Sequence, residues 1–484
     1  MHYLYSFFIE NKSALCYSLI NELETLPVTL LKKEELKVKA KRMISALLTM
    51  VVAVGSMTGC GKKEENSEDG KGSVYFLNFK PEVSEVWEKI AQKYTEETGV
   101  EVKVQTAASG TYEQTLKSEM AKNDAPTLFQ INGQIGYQNW SQYCADWSDT
   151  EIYSHLVNKD LAIKGADGGV YGLPYVVEGY GILYNDAIMQ KYFAMEDKAV
   201  DISSAEEIKN FDTLKAVVED MQVKKNELGI QGVFASTSLK AGEDWRWQTH
   251  TMNIPVYYEY KDDNVSDKTE LEFTYSDEYK NIFDLYLNNS CTDPKMLGSK
   301  SVDDSMAEFA LGNVAMVQNG NWAWNQIKGV DGNVVTEENI KYLPIYTGIE
   351  GEEKQGLCIG TEGFWCINSK AEKADQQATL DFIEWLFTSD VGKEYVVKDL
   401  GFIAPFDTFD ENEVPDDPCA KLVMQYMNDE NLENPGWVYT TFPSQTWKDD
   451  FGAALLEYAQ GTKSWKDVKN GAVKEWAEEK EAIQ

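Results

Sequence analysis

From Ser73 onward the chain alternates short apolar runs with stretches in which apolar residues return every three or four positions, the signatures of strand and amphipathic helix. Ser73 to Asn78 is a β-rich hexamer. Val83, Val86, Trp87, Ile90 and Tyr94 then recur at helical spacing until Gly99, and residues 100–104 alternate as a strand. A β-α-β order of this kind makes parallel neighbours joined by a right-handed crossover. The same periodicities predict helices over 112–122, 211–227, 277–287 and 371–387, with strands ending at Asn132 and over 232–235. In residues 309–324 the pattern is densest. Phe309 and Leu311 close a helix, Gly312 and Asn313 permit its left-handed stop, 314–317 form an apolar strand suited to a parallel sheet, and Asn319-Gly320-Asn321 turns the chain. Trp322 and Trp324 emerge from that turn, and Trp324 reads as core. The fold class predicted is α/β. Ligands of open α/β sheets sit beyond the carboxyl ends of the strands, which brings Asn78, Lys80, Asn132 and Gln134 to one rim, as ligand contacts or as caps of their own loops.

In a chain of 484 residues, 43% hydrophobic and 26% charged content fit two or more folded domains rather than disorder. The N-terminus stands apart. Lys39 to Arg42 is basic, 43–57 is apolar, and Thr58-Gly59 precedes Cys60, so residues 1–59 read as a signal peptide behind an extension that precedes the true start of translation. A Cys after Thr-Gly resembles a bacterial lipobox, which implies lipid on Cys60, and 60–72 form a charged tether with little to bury. A formal charge of −35 speaks against holding nucleic acid or anionic lipid by charge. It suits a body tethered to the outer face of a bacterial cytoplasmic membrane. Cys144, Cys291, Cys358, Cys366 and Cys419 are odd in number and lack C-x-x-C spacing, so free buried thiols are expected rather than a disulfide framework or a zinc site. His155 and His250 are the only histidines after Cys60, and neither H-E-x-x-H nor G-x-S-x-G occurs; no cofactor is expected.

Two motifs carry a resemblance to the extracellular solute-binding proteins for carbohydrates. One is Gly320-Asn321-Trp322-Ala323-Trp324, and the other is Pro174 to Asn185, in which Glu178 is followed by an apolar strand ending Tyr184-Asn185. Softer matches at 94–102, 389–396 and 400–405 extend the likeness over essentially all of 73–476. The resemblance implies a two-lobed fold of the type II periplasmic-binding kind, each lobe a mostly parallel sheet flanked by helices, with the ligand cleft between lobes. It implies lobe 1 at 73–182 and 352–403, and lobe 2 at 183–351 and 404–484. It also implies that Trp322 stacks on sugar, that Glu178 accepts sugar hydroxyls, and that Trp447 supplies another stacking aromatic; Tyr180 and Asn321 fall in the same motifs and are counted with the ligand contacts. For Glu178 the alternative is a hinge salt bridge. Trp245-Arg246-Trp247 reads as a platform for hydroxyls or a carboxylate, or else as a cation–π brace between helices. Glu362 lies among alternating faces with Phe364 and Trp365, reaching the cleft or packing in the strand.

The function implied is that of a monomeric lipoprotein which captures a sugar or oligosaccharide and delivers it to the permease of an ABC importer by hinge closure. The alternatives are a surface glycoside hydrolase, since paired carboxylates need no motif, and a glycan-binding adhesin.

Overall fold

The computed structural model describes residues 70–108, 110–236 and 238–482. The signal peptide, Cys60 and most of the tether lie outside these residues. Eleven strands among the described residues divide into two sheets. The first has the order β2-β1-β3-β11-β5-β4, built from β1 (Ser73–Asn78), β2 (Glu101–Thr106), β3 (Leu128–Asn132), β4 (Ile163–Lys164), β5 (Val170–Pro174) and β11 (Gly363–Ile367). The second has the order β10-β6-β8-β7, built from β6 (Glu178–Asn185), β7 (Gly232–Phe234), β8 (Val314–Gly320) and β10 (Cys358–Gly360), with β9 (Ile340–Leu343) also paired to β6.

Both sheets are mixed rather than mostly parallel. The pairs β1/β2, β1/β3 and β7/β8 are parallel, but β11 runs against β3 and β5, and β6 runs against β8, β9 and β10. The reason is connectivity: β6 and β11 are strands that enter one sheet directly from the other, without the crossover helix that would make them parallel.

Local sequence explains the element ends. The helix Ser84–Thr98 buries Trp87, Ile90, Ala91 and Tyr94 on one stripe and stops at Gly99, whose φ of 73° is open to glycine at no steric cost. The helix Val302–Ala310 starts at a capping box in which Ser301 and Asp304 each satisfy the other's backbone N–H. The strand after it is longer than its apolar run predicted, since β8 continues through Gly320 and pairs Gly320 with Tyr180. The turn is therefore confined to Asn321 and Trp322.

The chain leaves the first sheet after Pro174 and enters the second at Glu178. It returns between Gly360 and Gly363. Residues 178–182 and 358–360, assigned from sequence to lobe 1, thus hydrogen-bond in the second sheet. Beside the first crossing Val177 N donates to Ile403 O at 2.8 Å, but the chain stays with the first sheet beyond it: Phe406 and Phe409, assigned from sequence to lobe 2, pack in the first core. One core gathers Phe76, Trp87, Trp365, Phe382 and Phe387 around the first sheet, and another gathers Tyr180, Phe234, Trp247, Phe283 and Trp447 around the second.

Candidate ligand-binding cleft

Strand ends of both sheets open on one cavity of about 1280 Å³. Lys80, two residues past β1, Asn132 at the end of β3 and Glu362 between β10 and β11 line one side; Trp245, His250, Trp322 and Lys448 line the other. At one edge the two sides touch, for a Cβ added to Gly110 would lie 2.7 Å from Gly242 O.

Trp322 is half-buried and held by the strand it follows. Its ring folds back over Gly320, where an added Cβ would fall 2.1 Å from the indole, so only glycine leaves room for this ring position. Asn321 does not line the cavity; it pins the turn to β6. Its Oδ1 accepts from Gly179 N at 2.9 Å and its own N–H donates to Gly179 O at 3.0 Å. Lys80 Nζ stands 5.8 Å from the indole centroid, a cation–π distance, while Trp245 and His250 stand with ring centroids 6.0 and 5.6 Å away.

Glu178 lines the cavity and is also half of a buried ion pair, its Oε1 2.6 Å from Lys80 Nζ, with side chains 6% and 8% exposed. Glu82 lies 3.8 Å from the same ammonium. Asn78 is turned inward. It accepts from Lys80 N at 3.0 Å and donates to Lys80 O at 2.8 Å, shaping the turn that presents Lys80. Gln134 is exposed in the helix Gly133–Trp140 and does not line the cavity.

The Trp-Arg-Trp sequence divides by geometry. Consecutive helical residues point roughly 100° apart, so one of three can face a given wall. Trp245 faces the cavity. Arg246 is fully buried behind it: Nη1 donates to Ser305 Oγ at 2.6 Å and the guanidinium carbon stands 5.2 Å from the Trp245 ring. It is the brace, not the platform. Trp247 packs edge-on against Phe283 and Tyr286, with ring centroids 4.7 and 5.0 Å away. Arg246–Thr251 form a π-helical turn, a feature that recurs at functional sites, and it carries Gln248, Thr249 and His250 to the cavity wall. Tyr180 lies beneath His250 rather than in the cavity. The rings stack at 4.2 Å and 8°, and Tyr180 Oη donates to His250 O at 2.9 Å. Burial, then the charge of Arg246, pushes the imidazole well below its usual range and keeps it neutral.

On the helix Gln445–Ala459, Trp447, Phe451 and Leu455 face the core at four-residue spacing while Gln445, Lys448, Asp449, Ala453 and Leu456 face the cavity. Trp447 is fully buried, with Nε1 donating to Ala472 O at 2.9 Å, and its neighbour Lys448 takes the cavity position. Burial raises the Glu362 carboxyl and lowers the Lys448 ammonium, each against the other's opposing charge.

Gln248, His250, Asp244 and Lys448 were not picked out from sequence. For Lys448 the signal was present in the 447, 451, 455 apolar rhythm. For Gln248 and His250 it was not, because a π-turn shifts the register by one residue without a mark in the sequence.

Asp244, 3% exposed, accepts from Gln248 Nε2 at 3.1 Å, and burial pushes its carboxyl up to about 6. A carboxyl raised above its unfolded value near 3.9 destabilises the folded state as pH climbs through that window, because the unfolded chain gives up its proton first. Asp244→Asn should therefore melt like the wild type near pH 3.5 and gain on it up to pH 7, by about 3 kcal/mol at most. Thermal melts from pH 3.5 to 7.5 check the sign; an advantage that shrinks with rising pH would refute it.

Two sheets whose strand ends open on one indole-walled cavity, joined by segments that cross between them, define a two-lobed binding protein. The family model for bacterial extracellular solute-binding proteins matches residues 89–421, and the chain belongs to that family, one of binding proteins and not of enzymes. The melibiose/raffinose/stachyose-binding protein MelE of Bacillus subtilis (strain 168) is 25% identical over 165 residues, 33% of this chain and 38% of that protein, so the match spans well under half of the relative's length. Among solved structures, a chitin oligosaccharide binding protein superposes with a TM-score of 0.66 at 18% identity, covering 85% of this chain and 100% of that one. The solute-binding protein RafE in complex with raffinose gives 0.62 at 18%, covering 84% and 99%. The periplasmic-binding-protein-like fold is shared with both.

Proposed function

We propose that the solute is an oligosaccharide and that the chain delivers it, as a monomer, to the permease of an ABC importer. The observation that carries this reading is the Trp322 wall: an indole, crossed by Trp245 and rimmed by Lys80, Glu178 and Gln248, matches a sugar's apolar CH face and its belt of hydroxyls. Size supports it, since 1280 Å³ exceeds the roughly 300–1,000 Å³ typical of drug-sized pockets. So do the names of the relatives, which are binding proteins for raffinose-type and chitin oligosaccharides. Trp322, Glu178, Trp245, Lys80, Asn132, Glu362, Gln248 and His250 are the proposed contacts. Closure is proposed to occur about the crossing segments at 175–177, 361–362 and 416–417, with lobe 1 at 73–177 and 361–416 and lobe 2 at 178–360 and 417–482. A thermal-shift panel of neutral oligosaccharides tests the reading, because a ligand at a hundred times its dissociation constant adds about 2.7 kcal/mol. No shift with any of them would count against it.

The body is proposed to be held at the membrane by lipid on Cys60, because Thr58-Gly59-Cys60 follows a basic and then an apolar run. Two acyl chains suffice for stable attachment. Cys60→Ser should move the protein from the membrane fraction to the medium, and retention of that variant in membranes would refute the anchor.

A further inference from the structure

Resting on the reading of the cleft as an oligosaccharide site, we propose that Lys448 is a further ligand-binding residue, and that its ammonium and the Glu362 carboxylate hold one sugar hydroxyl between them across the cleft. Lys448 belongs to the helix Gln445–Ala459 on one wall, and Glu362 to the segment between β10 and β11 on the other. Both line the cavity and both are half-buried. Among the described residues the Lys448 ammonium has no ion pair and no hydrogen bond, and the Glu362 carboxylate has no ion pair. Lys80, the other lysine of the lining, is by contrast committed to Glu178 at 2.6 Å. Three carboxylates act on Lys448, with Glu362 ahead of Asp449 and Glu113, and Lys448 is in turn the charge that acts most strongly on Glu362. Asp449 already accepts from Gln445 Nε2 at 2.7 Å, and Glu113 from Trp140 Nε1 at 3.4 Å.

The position of Lys448 is a costly one for a cation. It lies in the first turn of its helix, just after the Ser444 cap, where the helix dipole favours negative charge. A lysine drawn out of water without a partner adds a desolvation cost. A sugar hydroxyl removes the deficit on both walls at once, because it accepts from the ammonium through its oxygen and donates its hydrogen to the carboxylate. Such a hydroxyl also ties one wall of the cleft to the other. The same wall as Lys448 presents two more unmet groups. Gln248 Oε1 and His250 Nδ1 are buried without a hydrogen-bond partner among the described residues, and both side chains line the cavity. Buried polar atoms of this kind are satisfied when a ligand or water reaches them.

Calorimetry of the full chain with raffinose, stachyose and chitin oligosaccharides supplies the probe, a sugar that binds. Lys448→Met should weaken its binding by about tenfold or more, the loss of one charge-assisted hydrogen bond, while the ligand-free melting midpoint stays level or rises. Lys448→Arg, which keeps the charge, should bind more tightly than Lys448→Met. Glu362→Gln should weaken binding as well, and the double variant Lys448→Met with Glu362→Gln should lose less than the product of the two single losses, because both groups act on one hydroxyl. Wild-type affinity in Lys448→Met, or a lowered midpoint with unaltered affinity, would overturn the role of Lys448. Single losses that multiply in the double variant would overturn the shared hydroxyl. Failure of every oligosaccharide to bind the wild-type chain would instead overturn the sugar reading beneath the proposal.

Discussion

Trp322→Ala is expected to weaken oligosaccharide binding by about thirtyfold to a thousandfold, the roughly 2 to 4 kcal/mol of an aromatic hot spot, while the fold persists. Two features separate this from a core deletion. The indole is only half-buried, and its inner face rests on Gly320, so truncation opens the cavity rather than hollowing a core. Asn321 keeps the turn pinned to β6 through two backbone contacts of Gly179 that the substitution leaves in place. A buried core tryptophan would behave differently: its loss would cost about 3 to 5 kcal/mol of stability and leave the affinity of the folded fraction unchanged. Trp447, fully buried against Phe451 and Trp476, is the internal comparison, and Trp447→Ala should follow that second pattern. The melting midpoint and dissociation constant of both variants decide; a large drop in melting for Trp322→Ala with unaltered affinity would show that packing had been mistaken for recognition.

Glu178→Ala should lower stability by about 3 kcal/mol, because it strands the Lys80 ammonium in a site where that side chain is 8% exposed. The figure sits at the low end for a broken buried pair since Glu82 remains 3.8 Å away. Removing both charges, as in Lys80→Met with Glu178→Leu, should restore most of the lost stability, because an apolar pair of similar volume often replaces a buried ion pair without penalty. Binding should not return with it. Both side chains line the cavity, and the double variant lacks the carboxylate and ammonium proposed to meet the hydroxyls. Denaturant titration and calorimetry on the single and double variants separate the two effects. Recovery of affinity together with stability would mean that the pair is a structural strut alone.

Much of this architecture was legible in the residues. Ser73 to Asn78 is a strand over the whole predicted span, and Gly99 and Gly312 end helices where their neighbours required, at φ of 73° and 68°. The direction of β6 and β11 was not legible from periodicity, which carries no information on whether the next strand is parallel or antiparallel; that depends on the long-range connection. In the cleft, sequence brought forward Trp322, Glu178, Lys80, Asn132, Trp245 and Glu362, all of which line the cavity. It also brought forward Arg246, Trp247, Tyr180, Asn78, Asn321 and Trp447, which lie behind the wall and position what lines it or fill the core. The two sets are adjacent in the chain, often by a single residue. A motif locates a segment, but which of its side chains faces the ligand depends on helical phase, and at Arg246–Thr251 the π-turn alters that phase.

The central claim is that this cleft captures an intact sugar. It is tested most directly by isothermal titration of the full chain with raffinose, stachyose and chitin oligosaccharides, followed by chromatography of the recovered ligand. A saturable signal of one ligand per chain from at least one neutral oligosaccharide, recovered at its original length, is the predicted result. Absence of binding across neutral oligosaccharides, or recovery of shortened products, would contradict it.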